Sequence, residues 1–152
     1  MANTYTQLYI HIVFAVKGRA NVIKEDWQKD LYRYIIGIVD GKKQKVYSIN
    51  GMPDHLHILV SIKPDKSISD LVRDIKSNSS KWINEKGFVP GRFEWQSGFG
   101  AFSVSQGALE NVVAYIKNQK EHHQKFNFRE EYIRFLEEYA VDFNGNFLFE
   151  EI

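Results

Sequence analysis

Residues 53–62 read PDHLHILVSI. Pro53 and Asp54, with Gly51 and Met52 before them, carry the chemistry of a turn. The run that follows is short, aliphatic and β-branched, which is the composition of a buried strand. Successive side chains of a strand point to opposite faces. His55 and His57 therefore share one face, while Leu56 and Ile58 share the other. A strand fit for burial thus carries two imidazoles that point the same way.

The rest of the fold is read outward from this strand. Upstream, VYSIN (46–50) forms a second strand, and LYIHIVFAV (8–16) reads as a strand buried on both faces. Between these two, Trp27, Leu31, Tyr34, Ile35 and Ile38 recur at helical spacing after Asp26, and Asp40-Gly41 ends that helix. Downstream, Ser67 followed by Asp70 resembles a capping arrangement. It opens a helix with Ile68, Leu71, Val72, Ile75, Trp82 and Ile83 on one side. A strand is expected at 99–104. Ser105 opens a third helix with a stripe of Leu109, Val112, Val113 and Ile116, and a last helix runs over 128–139. The phenylalanine-rich tail, 140–152, is expected to pack on the body of the protein. The order β-α-β-β-α-β, then α-α, predicts an α+β fold. It is the ferredoxin-like, RRM-like split βαβ antiparallel sheet with two helices on one face. The third helix is free to cover part of the other face. The reading is one domain over 1–152.

Composition excludes several classes. The chain has 152 residues, a net charge of +1 and no cysteine, so disulfide frameworks and thiolate metal sites are ruled out. No apolar stretch approaches the roughly 20 residues of a membrane helix, and the first residues lack the basic head of a signal peptide. A soluble, cytoplasmic protein with no membrane partner is expected. Without global basicity, contact with nucleic acid would rest on local groups. Lys17 with Arg19, residues 42–45, and Arg73, Lys76 and Lys81 make three such groups. Any one lysine taken singly reads as solvated surface.

Two imidazoles on one strand face can reach a single ion. Taken alone, however, the spacing favours two hydrogen-bonded histidines. The pair gains meaning from the third helix, NVVAYIKNQKEHH (111–123). Tyr115 and Gln119 lie four residues apart, hence on one face. They read either as a boundary tyrosine with a solvated glutamine, or as a nucleophile one turn from a neutral oxygen ligand. Oxygen and imidazole together suit Mg²⁺ or Mn²⁺. His122 and His123 compete for either role. His11, on the face of Tyr9 and Val13, reads as support for a ligand, as a DNA contact or as a core histidine. Asp54 reads as a turn residue or a neighbour of the ion.

His55-Leu56-His57 resembles the histidine-hydrophobic-histidine (HUH) motif of single-strand DNA nucleases. Tyr115 with Gln119 is similar to the catalytic helix of the single-tyrosine HUH transposases. These are the IS200-like, TnpA-type enzymes of small insertion sequences, whose relatives include REP-associated tyrosine transposases. The resemblance runs through YIHIVFAVKGR, GMPDHLHILV, ISDLVRDIKSNSSKWINEK, WQSGFGAFSVS and VVAYIKNQKEHH. It implies a metal-dependent enzyme that cleaves and rejoins single-stranded or hairpin DNA at insertion-sequence ends. Tyr115 would be the nucleophile of a 5′-phosphotyrosine intermediate, and His55, His57 and Gln119 would hold Mg²⁺ or Mn²⁺. It also implies a homodimer in a bacterial or archaeal cytoplasm, in which the tyrosine helix of one subunit can sit against the HUH site of the other, and it leaves open whether the sites are built in cis or in trans. The same resemblance leaves open a domesticated nuclease acting on chromosomal palindromic repeats. The strand order by itself also fits a non-catalytic RRM-like binding module, although the RRM aromatic signature is missing.

Overall fold

The computed structural model describes residues 3–123 and 127–142. Four strands form one sheet: β1 (Tyr9–Ala15), β2 (Lys45–Met52), β3 (His55–Ser61) and β4 (Gly100–Val104). Their order is β2-β3-β1-β4, and every pair is antiparallel. The helices are α1 (Glu25–Gly41), α2 (Ile68–Lys86), α3 (Leu109–Lys117), α4 (Gln119–His122) and α5 (Phe128–Glu138). This is the α+β, ferredoxin-like arrangement expected from the element order. Of the tail, residues 143–152 lie outside the described residues.

Each face of the sheet has its own cover. Ile12 and Phe14 of β1 and Leu56, Ile58 and Val60 of β3 pack with Trp27, Leu31 and Ile35 of α1 and with Leu71 and Ile75 of α2. Leu56 and Ile58 are fully buried there, and each such side chain contributes about 2 kcal/mol of hydrophobic stabilisation. The opposite face carries Tyr9, Val13, Ala15, Leu59, Phe102 and Val104, covered by Ile116 of α3 and by Phe128 and Leu136 of α5. Because β1 and β3 are the central strands, they are buried on both sides, as the apolar run at 8–16 implies. Residues His11, His55 and His57 all fall on the second face. There the C-terminal helices, rather than water, cover them. Among the described residues, no helix is long and apolar enough to cross a membrane.

Local chemistry sets the boundaries. Ser67 Oγ accepts a hydrogen bond from Asp70 N–H at 3.0 Å and so caps α2. Gly87 ends that helix in the left-handed region at φ 67°. The turn before β3 is tighter than its sequence suggests, because Gly51 and Met52 still pair with Leu56 and His55. The helix expected as one piece over 111–123 breaks at Asn118 (φ −97°, ψ 29°). At that break Asn50 Nδ2 donates to the carbonyls of Ile116 at 3.0 Å and Lys117 at 3.1 Å. A side chain of β2 thereby satisfies orphan carbonyls at the end of α3 and holds the junction between α3 and α4.

Gly51 sits where this packing leaves no room for a side chain. A Cβ there would lie 2.2 Å from the carbonyl oxygen of His55, so Gly51→Ala forces the backbone of β3 to shift. Urea unfolding of Gly51→Ala should show a loss of about 2 kcal/mol or more. Gly37→Ala, in exposed space on α1 with nothing within 4 Å, should instead gain up to about 1 kcal/mol. Equal effects at the two positions would contradict this packing.

Candidate active site

The register of β3 places His57 opposite Val13 and His55 opposite Ala15, with His11 opposite Leu59. His11 and His57 are therefore diagonal neighbours on one face, and His11 Nε2 lies 2.9 Å from His57 Nδ1. Both rings of the HUH pair are fully buried. The ring of His55 stacks on Phe128 at 3.9 Å.

A carboxylate from α5 reaches into this group. Glu131 is 2% exposed, and its two oxygens face different partners. His57 Nε2 donates to Oε1 at 2.9 Å, and His55 Nε2 lies 3.6 Å from the same oxygen. The Tyr115 hydroxyl donates to Oε2, and His123 Nε2 lies 3.3 Å from it. Gln119 is fully buried; its Oε1 faces His123 Nε2 at 3.1 Å, and its Nε2 donates to the Tyr115 carbonyl at 3.3 Å. Tyr115 and Gln119 thus converge on the same centre from either side of the Asn118 break.

The environment sets the charges. Burial pushes His11 down to about 3 and His57 down to about 4, so both are neutral at pH 7. Burial works to raise the Glu131 carboxyl, but hydrogen bonds from His123, His57 and Tyr115 outweigh it and hold the group well below the usual carboxylate range. Burial, then the adjacent Glu131 charge, raises the Tyr115 phenol above its ordinary value. At pH 7 the centre therefore sets a buried Glu131 anion beside neutral His11 and His57 rings and a protonated Tyr115.

One atom in this network is unanswered. Asp54 Oδ1 lies 2.7 Å from His55 Nδ1, and because an ionised carboxylate only accepts, Nδ1 carries the ring proton. In the neutral ring the lone pair is then on Nε2, which is buried and has no hydrogen-bond partner among the described residues. A carboxylate behind an imidazole whose far nitrogen is bare is a common support for a metal ligand. His55, His57, His123 and Glu131 offer ligand atoms that all lie within 4.8 Å of one another, so the group could hold a divalent ion. The donors fit such an ion, since a cation would answer both the bare nitrogen and the buried negative charge.

Of the residues singled out from sequence, His55, His57, Tyr115 and Gln119 come together here. His11 takes its place behind His57 and Asp54 behind His55, while His123 enters the centre. The His122 side chain lies outside the described residues. Glu131 went unmarked among the acids of FREEYIRFLEEY (128–139), although one signal was present. It falls three residues after Phe128 and four before Phe135, on the stripe that packs inward.

The basic residues lie elsewhere. Lys17, Arg73 and Lys76 line an open groove of about 520 Å³ with Arg92, Trp95 and Gln96, whereas Arg19 and Lys81 are not among its walls. Several of these cations are already engaged. Lys17 pairs with Glu94 at 3.0 Å, Arg73 with Asp70 and Asp74, and Lys81 with Glu85. Lys76 Nζ donates to the carbonyls of Gln96 at 2.8 Å and Gly98 at 2.6 Å, so it ties the 96–98 segment to α2. Burial lowers its pKa to about 8.

Residues 4–119 match the family described as "Transposase IS200 like". The chain is 27% identical over 120 residues to the ISDra2 transposase TnpA of Deinococcus radiodurans, covering 74% of this chain and 84% of that one. It is 25% identical over 127 residues to the transposase for insertion sequence element IS200 of Salmonella typhimurium, covering 80% and 82%. A solved REP-associated tyrosine transposase bound to a REP hairpin superposes with a TM-score of 0.61 at 17% identity, covering 81% of this chain and 73% of that one. That last likeness is one of fold.

Acid should expose the buried imidazoles. The unfolded chain takes up protons on His11 and His57 as pH falls below about 6.5, while the folded chain resists until about 4 and about 3. Stability is therefore whole above 6.5 and declines below it. Between pH 7 and 5 the loss is on the order of 2 kcal/mol for each ring, read from urea midpoints in EDTA. His11→Gln should remove about half of that decline. An unchanged slope would show that His11 is not held neutral by burial.

Proposed function

The chain belongs to the IS200-like transposase family, and from that premise we propose that it cleaves and rejoins single-stranded DNA at insertion-sequence ends through a covalent bond to Tyr115. The observation that carries this reading is the meeting of Tyr115 with the HUH pair in one chain. The tyrosine ring lies 5.8 Å from the ring of His57, and its hydroxyl is bonded to the carboxylate that also takes His57 Nε2. A binding module has no use for a half-buried tyrosine hydroxyl set against paired histidines.

His55 and His57, with Gln119 beside them, are the residues proposed to hold Mg²⁺ or Mn²⁺. When bound there, the ion would polarise a nonbridging phosphate oxygen and offset the charge that repels a nucleophile. The protein's own groups supply the rest. A shallow cleft of about 110 Å³, lined by Tyr115, Glu131, Arg134, Phe135 and Glu138, leads to the hydroxyl. Arg134 gives that cleft a cation suited to a phosphodiester. As Tyr115 Oη attacks phosphorus, its proton passes to the Glu131 carboxylate that already accepts its hydrogen bond. The bond from phosphorus to the 3′ oxygen breaks, and that oxygen leaves as a hydroxyl by taking the proton that Glu131 received. The 5′-phosphotyrosine bond that results keeps the energy of the phosphodiester, so a second 3′ end can displace the tyrosine and reseal the strand.

The family resemblance implies a homodimer and leaves open whether its sites are built in cis or in trans. The single chain already sets Tyr115 against its own histidines, which supports a site built in cis. Action on chromosomal palindromic repeats would use the same chemistry, and the DNA flanking the gene would distinguish it from transposition.

The test is a covalent-adduct assay with labelled single strands from both flanks of the gene, in Mg²⁺ or Mn²⁺, resolved on a denaturing gel. A labelled band at the mass of protein plus DNA is expected, and it should vanish with Tyr115→Phe and with EDTA. Binding without an adduct in either metal would favour the RRM-like binding module. Cleavage that survives Tyr115→Phe would point to a hydrolase.

A further inference from the structure

The helix α5 lies wholly beyond residues 4–119, the part of the chain that matches the family. It nevertheless contributes the most charged group in the centre. We propose that Glu131 is an anionic ligand of the divalent ion, with one carboxylate oxygen on the ion beside His55 and His57 and the other on the Tyr115 hydroxyl. This rests on the metal-dependent reading above and adds to it a donor that the HUH pattern does not contain.

Three observations converge. The first is separation. Donors about 2.0–2.2 Å from one ion stand roughly 3.0–3.4 Å apart when they are neighbours around it. Glu131 Oε1 lies 2.9 Å from His57 Nε2 and 3.6 Å from His55 Nε2, and Oε2 lies 3.3 Å from His123 Nε2. The two Oε1 distances bracket that spacing, and one donor atom from each of His55, His57, His123 and Glu131 lies within 4.8 Å of the others. The second is the bare, buried Nε2 of His55, which is aimed at that same oxygen. A bare nitrogen lone pair facing a buried carboxylate oxygen repels it unless a proton or a cation stands between them. The third is the support behind each ring. Asp54 fixes the His55 tautomer. Behind His57, His11 Nε2 sits 2.9 Å from Nδ1, so when His57 gives its Nε2 lone pair to an ion, its proton can sit on Nδ1 and be accepted by His11.

The donor set follows. With Glu131 in place of a neutral oxygen, three imidazoles and one carboxylate face the ion. Such a nitrogen-rich set favours transition-metal ions over Mg²⁺. One carboxylate shared between ion and hydroxyl also couples them, so loading the site fixes where the tyrosine points.

Co²⁺ titration of the full-length chain without DNA, followed by its visible absorption, reads the site independently of activity. Wild type should bind. Glu131→Gln, which keeps the shape and removes the charge, should weaken binding about 10–100-fold, and His57→Ala at least as much. The rise in Tm on adding Co²⁺ should shrink in step. If Glu131→Gln binds as wild type does while His57→Ala fails, Glu131 is not a ligand and the HUH reading survives. Should wild type bind neither Co²⁺ nor Mn²⁺, both readings fall. A second measurement needs no variant, and so covers the case in which Glu131→Gln does not fold. In Mn²⁺-soaked crystals of wild type, an anomalous peak bonded to a Glu131 carboxylate oxygen is expected. A peak held by His55, His57 and Gln119 with Glu131 turned away would overturn the proposal.

Discussion

The structure depends on the two-residue alternation of β3. Its odd-numbered side chains must face one way and its even-numbered ones the other. Leu56, Ile58 and Val60 take the face covered by α1 and α2, which leaves His55 and His57 to the opposite face. An open ferredoxin-like sheet could leave that face to water. Here α3, α4 and α5 close over it, and the two imidazoles become fully buried. A slip of one residue in register would exchange the two sets, placing imidazoles in the main core and removing the centre altogether.

Burial then dictates the chemistry. His11 and His57, removed from water, are neutral at pH 7, and a neutral imidazole has a lone pair to give. Asp54 fixes where that lone pair lies on His55. A buried carboxylate is costly without partners, and Glu131 has its partners in the same cluster: His57, His123 and Tyr115. The tyrosine held by that carboxylate sits on a helix whose end is pinned to β2 by Asn50. Sheet, helix junction and carboxylate therefore fix the Tyr115 hydroxyl from three directions.

Much of this was legible in the sequence. The run at 8–16, the Ser67 cap and the PDHLHILVSI segment define the sheet and its helices, because strand periodicity and capping are local properties. The approach of Tyr115 and Gln119 to His55 and His57 followed from resemblance, since nothing local in the third helix says what it packs against. Three features escaped. The break at Asn118 depends on Asn50, which is distant in sequence. Lys76 read as one of a DNA-contacting basic group, yet its ammonium is engaged by two carbonyls that only the fold brings near. Glu131 sits in a helix rich in glutamate, and its difference from Glu130 or Glu137 is one of face, which becomes clear only when that face is seen to pack on histidines.

The central claim is that one chain builds the whole centre, with its own C-terminal helices covering its own histidines. Mixing a His57→Ala protein with a Tyr115→Phe protein tests it most directly, with adduct formation on flanking single-stranded DNA as the readout. A site built in cis predicts that the mixture stays inactive, because each chain lacks one essential half. Recovery of the adduct on mixing would mean that tyrosine and histidines act from different chains, and would contradict the account.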